Sequence, residues 1–60
     1  MYRYALTERP PSIGTQPRGA KNIVAFKNKQ DFKGIICYGY VEYDTALTED
    51  QIKEYELRAV

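Results

Sequence analysis

The chain has no histidine, no tryptophan and a single cysteine, Cys37. Without histidine the commonest general base of nucleophilic catalysis is missing. A metal site would have to be built from carboxylates and one thiolate, so no metal and no cofactor are expected. One cysteine excludes a disulfide within the chain. No apolar run approaches the ~20 residues that cross a bilayer, and Met1-Tyr2-Arg3-Tyr4 has none of the form of a secretory signal. Charge of one sign is lacking too: nine Lys and Arg stand against eight Asp and Glu, a balance that gives no general pull toward nucleic acid or anionic lipid. These absences describe a cytoplasmic protein with a reduced thiol, no membrane partner and no catalytic residues, and so not an enzyme.

At 60 residues the chain is one domain, 1–60. A domain of this size buries only about 60% of the surface its unfolded chain exposes, and its core supplies roughly 3–5 kcal/mol. With disulfide and metal excluded, the supplement must come from good local structure or from self-association.

What is present is tyrosine: Tyr2, Tyr4, Tyr38, Tyr40, Tyr43 and Tyr55. Tyrosine closes a small core while keeping its hydroxyl wet, and it is favoured at interfaces. Residues 1–7 alternate, with Tyr2, Tyr4 and Leu6 on one side and Arg3, Ala5 and Thr7 on the other, which predicts a strand. Residues 8–21 break the pattern. Pro10, Pro11 and Pro17 remove backbone donors, and Gly14 and Gly19 permit left-handed turns. A loop so long is uncommon in a small domain; it is either an ordered wrap across the sheet or a functional arm, and Ile13 is its natural apolar anchor.

Residues 22–27 form a second strand. Residues 28–34 read as a single helical turn, capped by Asn28 and ended by Gly34, with a wide hairpin loop as the alternative. Residues 35–44 are the clearest strand. Ile35, Cys37, Gly39, Val41 and Tyr43 make its more apolar face and should meet the core. Gly39 in mid-strand marks a bulge or a close approach of the helix. Thr48 followed by Glu49-Asp50-Gln51 is a capping box, with Leu47 and Ile52 as its hydrophobic staple. The helix it starts turns Ile52, Tyr55 and Ala59 inward, with Leu57 to one side. Glu49 with Lys53 and Glu54 with Arg58 are spaced as favourable i to i+4 pairs. The fold class is therefore α+β: a three-stranded antiparallel sheet, one C-terminal helix packed on one face, and a long Pro/Gly loop after strand 1. The first strand can pair with either of the others; pairing with the third is favoured, since a central place suits that strand's length and apolar run.

Little in this pattern carries chemistry. Cys37, placed mid-strand and buried, is a small inert hydrophobe. Glu42, Asp44, Glu49 and Asp50 look like a strand end and a helix start rather than an acid–base pair. Gly14 and Gly19 do not match phosphate-loop spacing. Two features suit binding. The segment 9–21 holds Arg9, Arg18 and Lys21 with no acid among them, joined by Arg3, and has hydroxyls for phosphate contact. Tyr2, Tyr4, Tyr38 and Tyr40 line one sheet face if the first and third strands pair in a suitable register, where they could stack bases or anchor a protein. The candidate surface is thus Arg3, Tyr4, Arg9, Arg18, Lys21, Tyr38 and Tyr40. It suits a protein partner or self-association first, and nucleic acid second.

Arg9-Pro10-Pro11-Ser12-Ile13-Gly14-Thr15-Gln16-Pro17 resembles, together with Tyr38-Gly39-Tyr40-Val41-Glu42-Tyr43-Asp44 and the following Leu47-Thr48 and Tyr55-Glu56-Leu57, small bacterial proteins of no established activity found with phage- and plasmid-like elements. Ala46 stands where that family often has proline, which bears only on the turn. The resemblance implies a small accessory or regulatory binder and adds no mechanism.

Overall fold

The computed structural model describes residues 1–60. Its strands are β1 (Tyr2–Leu6), β2 (Asn22–Phe32), β3 (Ile35–Tyr43) and β4 (Leu57–Ala59), with one helix, α1 (Glu49–Glu54), between the last two. All pairings are antiparallel, and the sheet runs in the order β2-β3-β1-β4. The expected pairing of first and third strands holds, but the sheet has four strands rather than three.

Register decides which face each side chain serves. Tyr4 stands opposite Val41, Tyr2 opposite Tyr43 and Leu6 opposite Gly39. Because side chains alternate across a strand, this puts Tyr4, Leu6, Val41 and Tyr43 on one face. Leu57 of β4, opposite Leu6, completes the buried cluster. Arg3, Ala5, Tyr40 and Glu42 point the other way. The expected apolar face of β3 is therefore the core face, with Cys37 and Val41 fully buried.

Gly39 lies on that face, where a Cβ would stand 2.2 Å from the Val24 carbonyl oxygen, 2.8 Å from Pro11 Cγ and 3.0 Å from Ala25 Cα. The close approach expected at Gly39 exists, but β2 and the proline loop make it, not the helix.

The capping box forms as the sequence predicts. The Gln51 amide donates to Thr48 Oγ1 at 3.1 Å and the Thr48 amide to Gln51 Oε1 at 3.0 Å. Leu47 and Ile52 both pack on the core cluster. The helix, however, ends at Glu54, and Glu56 takes a left-handed φ of 56°. That geometry costs roughly 1–2 kcal/mol for an L-residue. It is offset by burying Leu57, 5% exposed, worth about 1.5–3 kcal/mol, and by pairing that covers the outer edge of β1 as far as the bond from the Val60 amide to the Arg3 carbonyl at 3.0 Å. Arg58 and Ala59 thus belong to a strand, and the expected Glu54–Arg58 helical pair does not exist. Glu49 and Lys53 form no ion pair either.

No helical turn interrupts 28–34. β2 runs on to Phe32, and the hairpin closes through Lys33 and Gly34, both at positive φ (51° and 88°), the pattern of a type I′ turn. The hairpin alternative was the right topology, with a tighter turn than expected. Between the Ala25–Gly39 and Gln30–Cys37 pairs, residues 26–29 of β2 stand opposite Tyr38 alone. A bulge of this kind bends a sheet, and the bend is large. Phe32 pairs with Ile35, five residues from Tyr40; a flat ladder would separate them by about 17 Å, yet the rings of Phe32 and Tyr40 stack with centroids 4.7 Å apart.

Candidate interaction surface

The loop 7–21 is an ordered wrap across the core face. Pro11 closes on Gly39, and Pro17 is buried. The Tyr43 hydroxyl donates to the Pro17 carbonyl at 2.5 Å, and the Lys21 amide donates to the Glu42 carbonyl at 2.7 Å. Burial raises the Tyr43 phenol above its ordinary value, helped by the neighbouring Tyr55 and Tyr4; the group stays a neutral donor, as the bond to Pro17 requires.

Within the loop, Ser12-Ile13-Gly14-Thr15 makes a turn. The Thr15 amide donates to the Ser12 carbonyl at 3.2 Å, the Ser12 amide to Thr15 Oγ1 at 2.9 Å, and Gln16 Nε2 to the Ser12 carbonyl at 2.9 Å. Gly14, at φ 88°, holds the third position, where a type II turn needs positive φ. Ile13 is therefore the apex of the turn and is fully exposed, at 102%. The expectation that Ile13 anchors the loop is wrong: Pro11, Gln16, Pro17 and Ala20 do so. Beside the turn a cleft of about 380 Å³ is lined by Ile13, Pro17, Arg18, Ala20, Ile23 and Tyr55, among others. Ile23, on the edge strand, is half exposed.

The residues singled out from sequence do not form one surface. Tyr4 is 4% exposed on the core face and its hydroxyl accepts from the Leu47 amide at 2.9 Å, so it cannot meet a partner. The register sets Tyr2 and Tyr4 opposite in face to Tyr38 and Tyr40, and the four rings never line one face. Arg9 pairs with Glu56, and Lys21 with Asp44 at 3.4 Å. Arg3 pairs with Glu42 at 2.7 Å and lies 5.2 Å from the Tyr40 ring centroid and 5.7 Å from that of Phe32. Tyr40 thus has Phe32 stacked on one face, with Phe26 and Arg3 beside the stacked pair, so its ring is engaged within the domain. Lys29 Nζ sits 5.2 Å from the Tyr38 ring centroid. Of the loop cations only Arg18, on the cleft, has no carboxylate partner.

Glu42 is the hub of the rear face. Arg3 Nε donates to it at 2.8 Å and Asn22 Nδ2 at 2.8 Å, and these two bonds, Arg3 first, hold its carboxyl below the ordinary value. Cys37 is buried and free. No group of three His, Cys, Asp or Glu is arranged to hold a metal ion, and no helix is long and apolar enough to cross a membrane.

Sequence reasoning missed the cleft and the aromatic cluster behind the sheet. Ser12 and Gly14 flanking Ile13 are a turn signal that could have placed Ile13 at an apex rather than as an anchor. The stacking of Phe32 on Tyr40 left no local trace, because it depends on the bend at residues 26–29.

Fold and surface together define a small antiparallel α+β domain whose most exposed large apolar side chain, Ile13, stands at the apex of an ordered loop. The chain belongs to the family described as Defence against restriction A C-terminal, which matches residues 1–60. It is 40% identical over 58 residues to "Defense against restriction protein A" of Escherichia phage P1, an alignment that covers 95% of this chain and 9% of that protein. No solved structure matches the chain. The phage association implied by the sequence resemblance is therefore right. The expectation that the family has no assigned role is corrected: the family is named for defence against restriction.

Proposed function

We propose that this chain is a non-catalytic protein-docking domain that serves a phage-type defence against restriction. The name of the family and of its phage P1 relative supplies the process; the loop supplies the means. One observation carries the reading. A domain short of core material leaves Ile13 entirely in solvent, on a turn closed by three hydrogen bonds to Ser12 and Thr15. Covering one isoleucine is worth about 1.5–3 kcal/mol, and a rigid loop loses little entropy when it is covered. Ile23 and Tyr55 continue the apolar floor, and Arg18 stands free beside it. The fitting partner is a protein segment that offers an apolar side chain next to a carboxylate. Nucleic acid at the loop draws no support, since Arg3, Arg9 and Lys21 are already paired with carboxylates of the domain.

The test is photo-cross-linking in cells that make the phage-type proteins together, with a photoreactive residue at position 13 and a control at position 28 on the hairpin. Discrete protein adducts from position 13, absent from position 28 and reduced at least tenfold by Arg18→Glu, support the docking site. Equal adducts from both positions would remove it.

A further inference from the structure

The charges of this nearly neutral chain are strongly segregated. Between Glu8 and Glu42 the only acid is Asp31, against Arg9, Arg18, Lys21, Lys27, Lys29 and Lys33. Arg9 and Lys21 are neutralised by Glu56 and Asp44. The three lysines of the β2–β3 hairpin are not: Lys27, Lys29 and Lys33 are exposed and have no carboxylate partner. The acids Glu49, Asp50 and Glu54 lie on α1, which follows the opposite end of β3 from the hairpin turn. One end of the molecule is thus basic although the whole is not.

The hairpin is also built to keep its shape. Phe32 stacks on Tyr40, Phe26 meets both rings, and Arg3 lies against the pair from β1. The lysines therefore project from a two-stranded ribbon fixed to the sheet by aromatic contacts rather than from a floppy loop. Asn28 and Gln30 lie between them and are exposed as well, adding amide donors of the kind that bond phosphate oxygens and sugars. A two-stranded ribbon has the width a major groove admits.

We propose that the Lys27–Lys29–Lys33 hairpin is a phosphate-backbone contact for nucleic acid, separate from the loop cleft and without base readout. It stands on other residues than the docking proposal and survives that proposal's failure. The rings of the hairpin are engaged within the domain, Phe32 stacked on Tyr40 with Arg3 beside the pair and Lys29 Nζ against Tyr38, so the contact is assigned to the lysines and not to base stacking. The contact is therefore sequence-tolerant and weak, a positioning contact for a domain held near nucleic acid by other means. Three phosphates neutralised on duplex DNA give a slope of log affinity against log salt of about −2.7, or a loss of about 40-fold between 50 and 200 mM.

The experiment is a titration of the isotopically labelled domain with a random-sequence 16-base-pair duplex, followed by amide NMR shifts at two salt concentrations. Shifts confined to the hairpin, independent of duplex sequence, falling with the stated slope and abolished by combined Lys27→Gln, Lys29→Gln and Lys33→Gln with an otherwise unchanged spectrum, support the proposal. Three results overturn it: no shifts at 50 mM salt, shifts centred on residues 9–21, or hairpin shifts that appear with protein concentration alone and implicate α1 of a second copy. If the triple variant loses its native spectrum, Lys27→Gln and Lys29→Gln singly must each lower the salt slope by about 0.9; an unchanged slope overturns the proposal as well.

Discussion

On the core face Tyr4 and Tyr43 meet edge to face with centroids 6.1 Å apart, and each hydroxyl is bonded to a backbone group, the Leu47 amide and the Pro17 carbonyl. On the rear face Phe32 and Tyr40 lie nearly parallel at 4.7 Å, with the Arg3 guanidinium against both and its charge returned to Glu42. Two aromatic layers in one sixty-residue chain are closed by different means. The core face is sealed by irregular backbone, the proline loop, whose polar groups are satisfied by tyrosine. The rear face is sealed by side chains, through a hairpin bent back over its own sheet. A seal made of backbone tolerates no added volume and depends on single hydrogen bonds; a seal made of side chains depends on charge and on the turn that brings it round.

The sharpest way to break the difference is Gly39→Ala. A methyl group there meets the Val24 carbonyl and Pro11 at once, and backbone cannot rotate out of its way. We expect a loss of at least about 3 kcal/mol, most of what a domain of this size holds, seen as an unfolded far-ultraviolet spectrum or a collapsed urea midpoint at 25 °C. A midpoint within experimental error of the parent would mean that the loop does not close on β3.

Tyr43→Phe tests the same seal more gently. The ring stays and the bond to the Pro17 carbonyl goes, which should cost about 1–2 kcal/mol because that carbonyl is left unpaired. The effect should be local: faster amide hydrogen exchange at the backbone bonds that tie down 12–21, with the β1–β3 ladder protected as before. Uniform acceleration across the sheet would show instead that loop and sheet open as one unit.

On the rear face the corresponding test is pH. The Glu42 carboxyl lies below its ordinary value of 4.5, held there by Arg3 and Asn22. A carboxyl lowered in the folded state binds fewer protons than in the unfolded one. Its stabilisation is present above about 4.5 and is lost as pH falls toward its folded value. Urea midpoints measured from pH 6 to pH 3 should therefore fall more steeply for the parent than for Glu42→Gln, the offset between the two curves holding constant above about 4.5 and closing below it. Parallel curves would mean that the Arg3–Glu42 pair does nothing for the rear face.

The two faces were not equally legible. Strands one and three and the capping box follow from alternation and from the Thr48–Gln51 spacing, all local signals, whereas the pairing of those strands was one of two choices, favoured by the length and apolar run of the third strand. The wrap of the proline loop was one of two readings of its length and composition. The fourth strand was hidden because Ile52, Tyr55 and Ala59 continue a helical stripe past the end of α1; only Leu57, off that stripe, hinted otherwise. The hairpin was one of two readings of 28–34, and the run of β2 on to Phe32 was hidden because residues 27–31 are polar throughout and carry no apolar alternation. For the candidate surface, residue type pointed to the right kinds of side chain, but register and ion pairing decided which are free. Tyr4 went to the core, Arg3, Arg9 and Lys21 went to carboxylates, and Arg18 remained.

The smallest expected change is also the one that separates fold from contact. Lys33 sits at φ 51° before Gly34, a position of a type I′ turn where asparagine is favoured and lysine is not. Lys33→Asn should relieve part of the left-handed cost and raise stability by roughly 0.5–1 kcal/mol, or a rise in melting temperature of roughly 4–8 °C per kcal/mol for a domain of this length. The same change removes one of the three unpaired hairpin charges, so the salt slope for duplex binding should fall by about 0.9. Stabilisation tightens the bend that carries Phe32 to Tyr40, whereas the lost charge weakens the contact, and the two readouts should move in opposite directions. A variant that is both more stable and unchanged in its salt dependence would leave Lys33 as a turn residue alone and reduce the basic contact to Lys27 and Lys29.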